Sequence, residues 1–225
     1  MAEIYLVRHG QASLGSHNYD QLSANGIQQA QWLGQYFRQQ QLSFDHVISG
    51  TLSRHRQTVQ GIAQGLQQPI ECVEELIGIN EFDFQQISHR FVEHHPEQAL
   101  NKEASPRDFF RLLKKALYAW SENDFDHGDL ESWQQFNQRV SDALTHVKRQ
   151  HHGKKVLMVS SGGVIASMVA QTLNAGAASV IELNLQTKNT GLSQFIFNRK
   201  HLRLSSFNNT PHLDAPERKQ QRTFA

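Results

Sequence analysis

Apolar residues fall in two rhythms along the chain. Short unbroken runs alternate with segments whose apolar positions recur every three to four residues. Ile4–Val7 is a run with β-branched members and reads as a buried strand. Ser23 is a plausible helix cap, and Ile27, Ala30, Leu33 and Phe37 follow at helical spacing. "DHVIS" at 45–49 predicts a second strand, and "LSRHRQTVQGIAQGL" a second helix that Gly65 and Pro69 bring to an end. "IECVEEL" predicts a third strand. Strand, helix, strand, helix, strand is the rhythm of an α/β protein with a mostly parallel sheet and helices on both faces.

From about residue 80 to 130 that rhythm breaks. The stretch is polar, carries Pro96 and Pro106, and shows one helical pattern, "RDFFRLLKKALYAW". It reads as a small cap inserted into a single domain spanning 1–214. Trp133, Phe136, Val140, Leu144 and Val147 then mark one face of a long helix. "KKVLMVSS" predicts a strand, "GVIASMVAQTL" a helix, "SVIELNLQ" a strand, and "SQFIFNRKHLRLSSFN" a hairpin turning at Arg199–His201. The last residues, 215–225, form a polar tail expected to be mobile.

Composition narrows the function classes. A formal charge of +1 argues against nucleic acid as the main partner. The first apolar run is too short for a signal peptide or a membrane span, and Cys72 is the single cysteine. A cytoplasmic protein without membrane attachment is the expectation. The 13 histidines are scattered, with no HExxH and no Cys/His spacing, so neither a metal nor another cofactor is expected.

The candidate chemistry begins at Arg8, His9 and Gly10, where the first strand ends. Ligands of open α/β sheets bind at the carboxyl ends of strands. An arginine fork suits phosphate oxygens, and a neutral imidazole can attack phosphorus. Gly10 would let backbone approach the anion. The same tripeptide could also be a surface turn. "SGTLSRHRQT", 49–58, likewise follows a strand and opens a helix, whose N-terminus favours an anion. Arg54 and Arg56 lie two apart and face different ways, so one serves the site and the other is a solvated charge. "SSGGV" lacks the leading glycine of a serine-hydrolase elbow.

Taken in order, "RHG", "LSANGIQQAQWLG", "TLSRHRQT", "GDLESWQQFNQRV" and "VLMVSSGGVIASMV" resemble the histidine phosphatase superfamily, the phosphoglycerate mutase-like family, over nearly the whole chain. The resemblance implies the three-layer fold of that family and a metal-independent phosphatase of small phosphomonoesters. His9 would become phosphohistidine, and Arg8 and Arg54 would hold the phosphoryl oxygens. Glu81, in "NEFDF", would be the general acid, with Asp83 the competing choice. Its pKa is expected to be raised, because a carboxylate near a phosphate is disfavoured.

Three departures stand out. Thr51 occupies a position where the family usually has proline. Ala12 and Gly15 stand where a hydroxyl residue and an asparagine commonly help bind phosphate, leaving Gln11 and Ser13 as polar neighbours. The late turn usually reads S-H-G-G-V, but here Ser161 replaces the second histidine, and the resemblance implies that Ser161 and the Gly162 amide help bind the phosphate. Ser161 offers one neutral donor where a charged one is usual. His55 and His127 are candidates to replace the lost imidazole. Two other readings stand beside the phosphatase: a weak or inactive phosphate-ester binder, which Ser161 motivates, and a phosphoglycerate mutase, which the Ser161 and Ala12 departures disfavour. Neither the physiological substrate nor the oligomeric state can be read from the sequence.

Overall fold

A computed structural model describes residues 2–13, 20–101 and 103–224. Six strands form one sheet: β1 (Ala2–Arg8), β2 (His46–Ser49), β3 (Val73–Glu75), β4 (Lys155–Ser160), β5 (Leu192–Phe197) and β6 (Leu202–Asn209). Seven α-helices accompany them: α1 (Ala24–Gln39), α2 (Ser53–Leu66), α3 (Phe84–His94), α4 (Pro106–Glu122), α5 (Trp133–Gln150), α6 (Gly162–Thr172) and α7 (Ala177–Gln186). The strand order is β3-β2-β4-β1-β5-β6. The first four strands in that order pair in parallel, and β5 and β6 close the other edge antiparallel. The expected α/β class and mostly parallel sheet are therefore present.

Alternation along the buried strands divides the core into two layers. Tyr5, Val7, Val47, Leu157 and Val159 face α1 and α2 in one cluster. Ile4, Leu6, Ile48, Val156 and Met158 face the opposite way, into a cluster that continues through α3, α4, α5 and α6. Both faces are thus covered, as strands this apolar require.

The helix after β2 does not end at Gly65. It runs to Leu66, with Gln67 in the left-handed conformation as its cap. Gly65 instead faces α1, where an added Cβ would lie 2.0 Å from the Gln31 carbonyl oxygen. The third strand is shorter than expected, only Val73–Glu75. "SVIELNLQ" is not a strand but the body of α7. Its alternation, Ile181, Leu183, Leu185 against Glu182, Asn184, Gln186, mimics a strand. Packing decides otherwise: Val180 and Leu183 pack with Ala166 and Ala170 of α6.

The cap holds two α-helices rather than one. Asp83 caps α3, accepting from the Gln86 amide at 3.0 Å, while Ser105 and Asp108 form a reciprocal capping box on α4. Phe82 joins the cap to the body, with ring centroids 5.1 Å from Trp120 and 5.2 Å from Phe136. The tail is docked, not loose. Pro216–Gln221 forms a 3-10 helix, and Gln29 donates to the Gln221 carbonyl at 2.6 Å and to Thr223 Oγ1 at 2.9 Å. Asn189 also receives the Thr223 hydroxyl at 2.9 Å. Among the described residues, no helix is long and apolar enough to cross a membrane.

Candidate active site

The carboxyl end of β1, the start of α2 and the loop before α3 meet at one cavity of about 280 Å³. Arg8, His9, Arg54 and Glu81 line it together, under a roof that includes Phe84, Phe109, Phe110 and Leu113 from the cap. Four of the six residues singled out by sequence therefore meet at one place. Ser161 and Gly162 lie at the start of α6 but are not part of that lining.

His9 is buried at 3% exposure and closely oriented. Its Nδ1 lies 2.7 Å from the Gly10 carbonyl oxygen. A carbonyl only accepts, so Nδ1 carries the proton and Nε2 keeps its lone pair. Burial, followed by the Arg54 and Arg8 charges and His55, lowers its pKa well below the usual histidine value, against the opposing Gly10 bond. The result is a neutral imidazole with a nucleophilic nitrogen. Gly10 serves packing rather than anion approach: a Cβ there would meet the Gly26 carbonyl oxygen at 2.4 Å. The Gly10 amide donates to Thr58 Oγ1 at 3.0 Å, and Thr58 in turn donates to the Arg54 carbonyl at 2.7 Å. These two bonds link the first motif to the second.

Both arginines are buried, Arg8 at 4% and Arg54 at 6% exposure. Arg8 Nη1 donates to the Thr187 carbonyl oxygen, which ties the guanidinium to the end of α7. Asp20 accepts from Arg54 Nη1 at 2.9 Å and from the Ser53 amide at 2.8 Å. The N-terminus of α2 is therefore capped by a carboxylate from elsewhere in the chain, not left open for an anion. Of the two arginines in "SRHR", Arg54 faces the site. Arg56 is exposed and pairs with Glu75, its Nη2 2.7 Å from Oε2. Gln11 supports the loop, its amide donating to Gln29 Oε1 at 2.9 Å and its side chain accepting from Ser23 and Asn25 at 3.0 Å each. Ala12 pairs with Leu22 in an isolated bridge, and Ser13 donates its amide to the Gln21 carbonyl. Gly15 lies outside the described residues.

Glu81 and Asp83 separate clearly. Glu81 lines the cavity, while Asp83 is exposed and spent on capping α3. Glu81 Oε2 accepts the Gly163 amide at 2.9 Å. Burial raises its pKa, outweighing that amide bond and the nearby arginines. The expected direction is present, but its source is desolvation rather than a neighbouring phosphate. Arg139 of α5 positions the loop that presents Glu81, a role not assigned from sequence. It donates to the carbonyls of Gly78 at 3.0 Å and Asn80 at 2.6 Å and pairs with Glu131 at 2.6 Å. The Glu131–Arg139 spacing in the helix motif was the available signal. Thr51 completes the loop: its amide and hydroxyl bond the Asn80 side chain at 2.8 and 2.7 Å. Proline at 51 could not supply that amide.

Ser161 has a partner that sequence position only hinted at. Its hydroxyl lies 2.7 Å from His55 Nε2, and both side chains are wholly buried. The His55 ring is 5.8 Å from the His9 ring between centroids. Burial first, and Arg54 second, hold His55 neutral, well below its usual pKa. His127 lies in the segment between α4 and α5, and no described contact joins it to the cavity.

The fold and these side chains define an α/β protein that gathers an uncharged histidine, two arginines and a carboxyl at one cavity. The chain belongs to the histidine phosphatase superfamily, branch 1, whose family model matches residues 4–210. It is 27% identical over 186 residues to the adenosylcobalamin/alpha-ribazole phosphatase of Escherichia coli (strain K12), covering 79% of this chain and 82% of that one. It is also 27% identical over 227 residues to a probable phosphoglycerate mutase, GpmB, of Salmonella arizonae, covering 96% and 97%. Among solved structures, a phosphoserine phosphatase mutant of Entamoeba histolytica in complex with phosphoserine is 26% identical. It covers 95% of this chain and 100% of its own, with a TM-score of 0.66. The superfamily and these neighbours are phosphatase- and mutase-type enzymes.

The buried histidines carry a pH signature. His9, His55 and His212 all have folded pKa values below the unfolded value, His212 at about 3 because it is buried. Below about pH 6.5 the unfolded chain takes up protons that the folded chain refuses. Stability contributed by these groups is full above that value and lost as pH falls toward the folded values. Glu81, with its raised pKa, acts in the opposite sense. Urea unfolding should therefore show a falling midpoint from about pH 7 to 5, by up to ~1.4 kcal/mol per pH unit for each histidine. A flat profile would mean these rings are protonated in the folded protein.

Proposed function

We propose that this chain is a phosphatase that hydrolyses small phosphomonoesters through a phosphohistidine on His9. The observation that supports it most is the shared cavity: a neutral Nε2 nucleophile, two buried guanidinium groups and a carboxyl whose pKa burial raises. Arg8 and Arg54 bind the phosphoryl oxygens and neutralise charge as Nε2 attacks phosphorus. Glu81, whose pKa burial raises, gives its proton to the departing alcohol. The resulting carboxylate then takes a proton from the water that cleaves the phosphorus–nitrogen bond, releasing phosphate and restoring His9. No step calls on a metal or another cofactor.

The roof defines the alcohol. Pro106, Phe109, Phe110, Leu113 and Leu185 make the far side of the cavity apolar. Phosphate esters of apolar or aromatic alcohols suit this wall. The carboxylate of a phosphoglycerate would lose hydration against that wall without a cation to replace it. That disfavours the mutase reading, despite the relatives that carry that name. Hydrolysis of an aryl phosphomonoester should exceed that of phosphoserine or 3-phosphoglycerate in kcat/KM. His9→Ala should abolish it, and Glu81→Gln should lower kcat by about 10²–10⁴-fold. Equal rates in wild type and His9→Ala would overturn the enzyme reading, and phosphate transfer between the hydroxyls of phosphoglycerate would establish the mutase instead.

His55 takes over from the missing second histidine in this reading. An imidazole comes from α2 instead of from the turn after β4, outside the cavity lining, and bonds the Ser161 hydroxyl. As phosphate brings negative charge, His55 can donate through Nε2–H to Ser161 Oγ, whose own hydroxyl proton is then available to the phosphoryl group. His55→Ala should lower kcat by about 10²-fold. The double variant His55→Ala/Ser161→His should recover at least a tenth of the wild-type rate, because it returns an imidazole from the other side. No recovery in a folded double variant, or an undiminished His55→Ala, would remove His55 from the reaction.

A further inference from the structure

The histidines that lie scattered in sequence are gathered by the fold far from the cavity. His46 opens β2, Glu74 lies in the neighbouring strand β3, and α5 contributes His146 and its cap residue His151. Three imidazole Nε2 atoms converge on one carboxylate. His46 and His151 lie 2.7 and 3.0 Å from Glu74 Oε2, and His146 lies 2.6 Å from Oε1. The His46 and His151 rings stack, with centroids 4.0 Å apart and planes 22° from parallel. His46 is at the amino end of β2, opposite the carboxyl end of β1 that meets the cavity. None of the four residues lines that cavity.

We propose that His46, Glu74 and His151, with His146 as a fourth donor, bind a divalent transition-metal ion, zinc by preference. Imidazole nitrogens with one carboxylate form a zinc-type donor set, whereas magnesium and calcium favour all-oxygen shells. The donor atoms of His46, Glu74 and His151 all lie within 4.8 Å of one another. Tetrahedral zinc, with bonds of about 2.0–2.1 Å, needs donors roughly 3.3 Å apart, so small side-chain rotations suffice. His151 is nearly buried, with 8% of its side chain exposed, while His46 and Glu74 are each 25% exposed. The cluster is closed on one side and open to an incoming ion on the other.

Each ring that now donates from Nε2 passes that proton through solvent to Nδ1, and the freed lone pair takes the ion. No electron changes hands. One ion would then cross-link β2, β3 and the end of α5, and would stabilise the folded chain by binding only there.

The test is a zinc titration of metal-free full-length protein against a competing chromophoric chelator, with X-ray absorption of the zinc-loaded sample. One equivalent with a nitrogen- and oxygen-only shell is the expected result, together with a thermal midpoint that rises with zinc. Glu74→Gln and His151→Asn should each weaken that site at least tenfold and remove the thermal shift, with kcat of the phosphatase reaction unchanged. Should His151→Asn fold poorly, His46→Asn and His146→Asn carry the same test from more exposed positions. Zinc binding that persists unchanged in the folded variants, or no binding at 100-fold excess zinc over protein, overturns the proposal.

Discussion

An uncharged imidazole buried between two guanidinium groups is the constraint on which the rest depends. Two buried positive charges favour neither a third charge nor an empty space. His9 meets the first condition by staying neutral, and its Nδ1 bond to the Gly10 carbonyl fixes which nitrogen faces the cavity. The second is met by neighbours: Asp20 on Arg54 and the Thr187 carbonyl on Arg8. An anion entering this site meets positive charge already held in place, so little reorganisation is needed when charge moves in the transition state.

The scaffold around that constraint is a set of cross-braces between distant segments. Thr58 joins the first loop to α2, and Gln57 accepts the Leu22 amide at 2.7 Å. Gln29 reaches from α1 to both Gln11 and the docked tail. Arg139 and Asn80 hold the loop that carries Glu81. Most motif residues that are not at the cavity are therefore structural.

Much of this was legible in the sequence because buried strands and capped helices have local signatures. The run at Ile4–Val7, the Ser23 cap and the single-faced helix from Trp133 all state their own structure. The failures share a cause as well. α7 alternates like a strand, and only its packing on α6 makes it a helix. Gly65 looks like a helix terminator, but its role is a close approach to α1 that no single segment reveals. At the site, Arg8, His9 and Arg54 stand out just after strands, and Glu81 through the resemblance to the family. Asp20, Arg139 and the His55–Ser161 contact are long-range, and their geometry has no local pattern. The same is true of the three histidines around Glu74, whose positions in sequence span more than a hundred residues.

The central claim, that His9 Nε2 accepts the phosphoryl group, is tested most directly by trapping. Rapid mixing of wild-type protein with a phosphorus-labelled aryl phosphomonoester, quenched in alkali and mapped by peptide mass spectrometry, should place one phosphate on His9. That adduct should be stable to base, labile to acid, and absent in His9→Ala. Product release with no label on His9 at any time, or label on another residue that survives His9→Ala, would contradict the account.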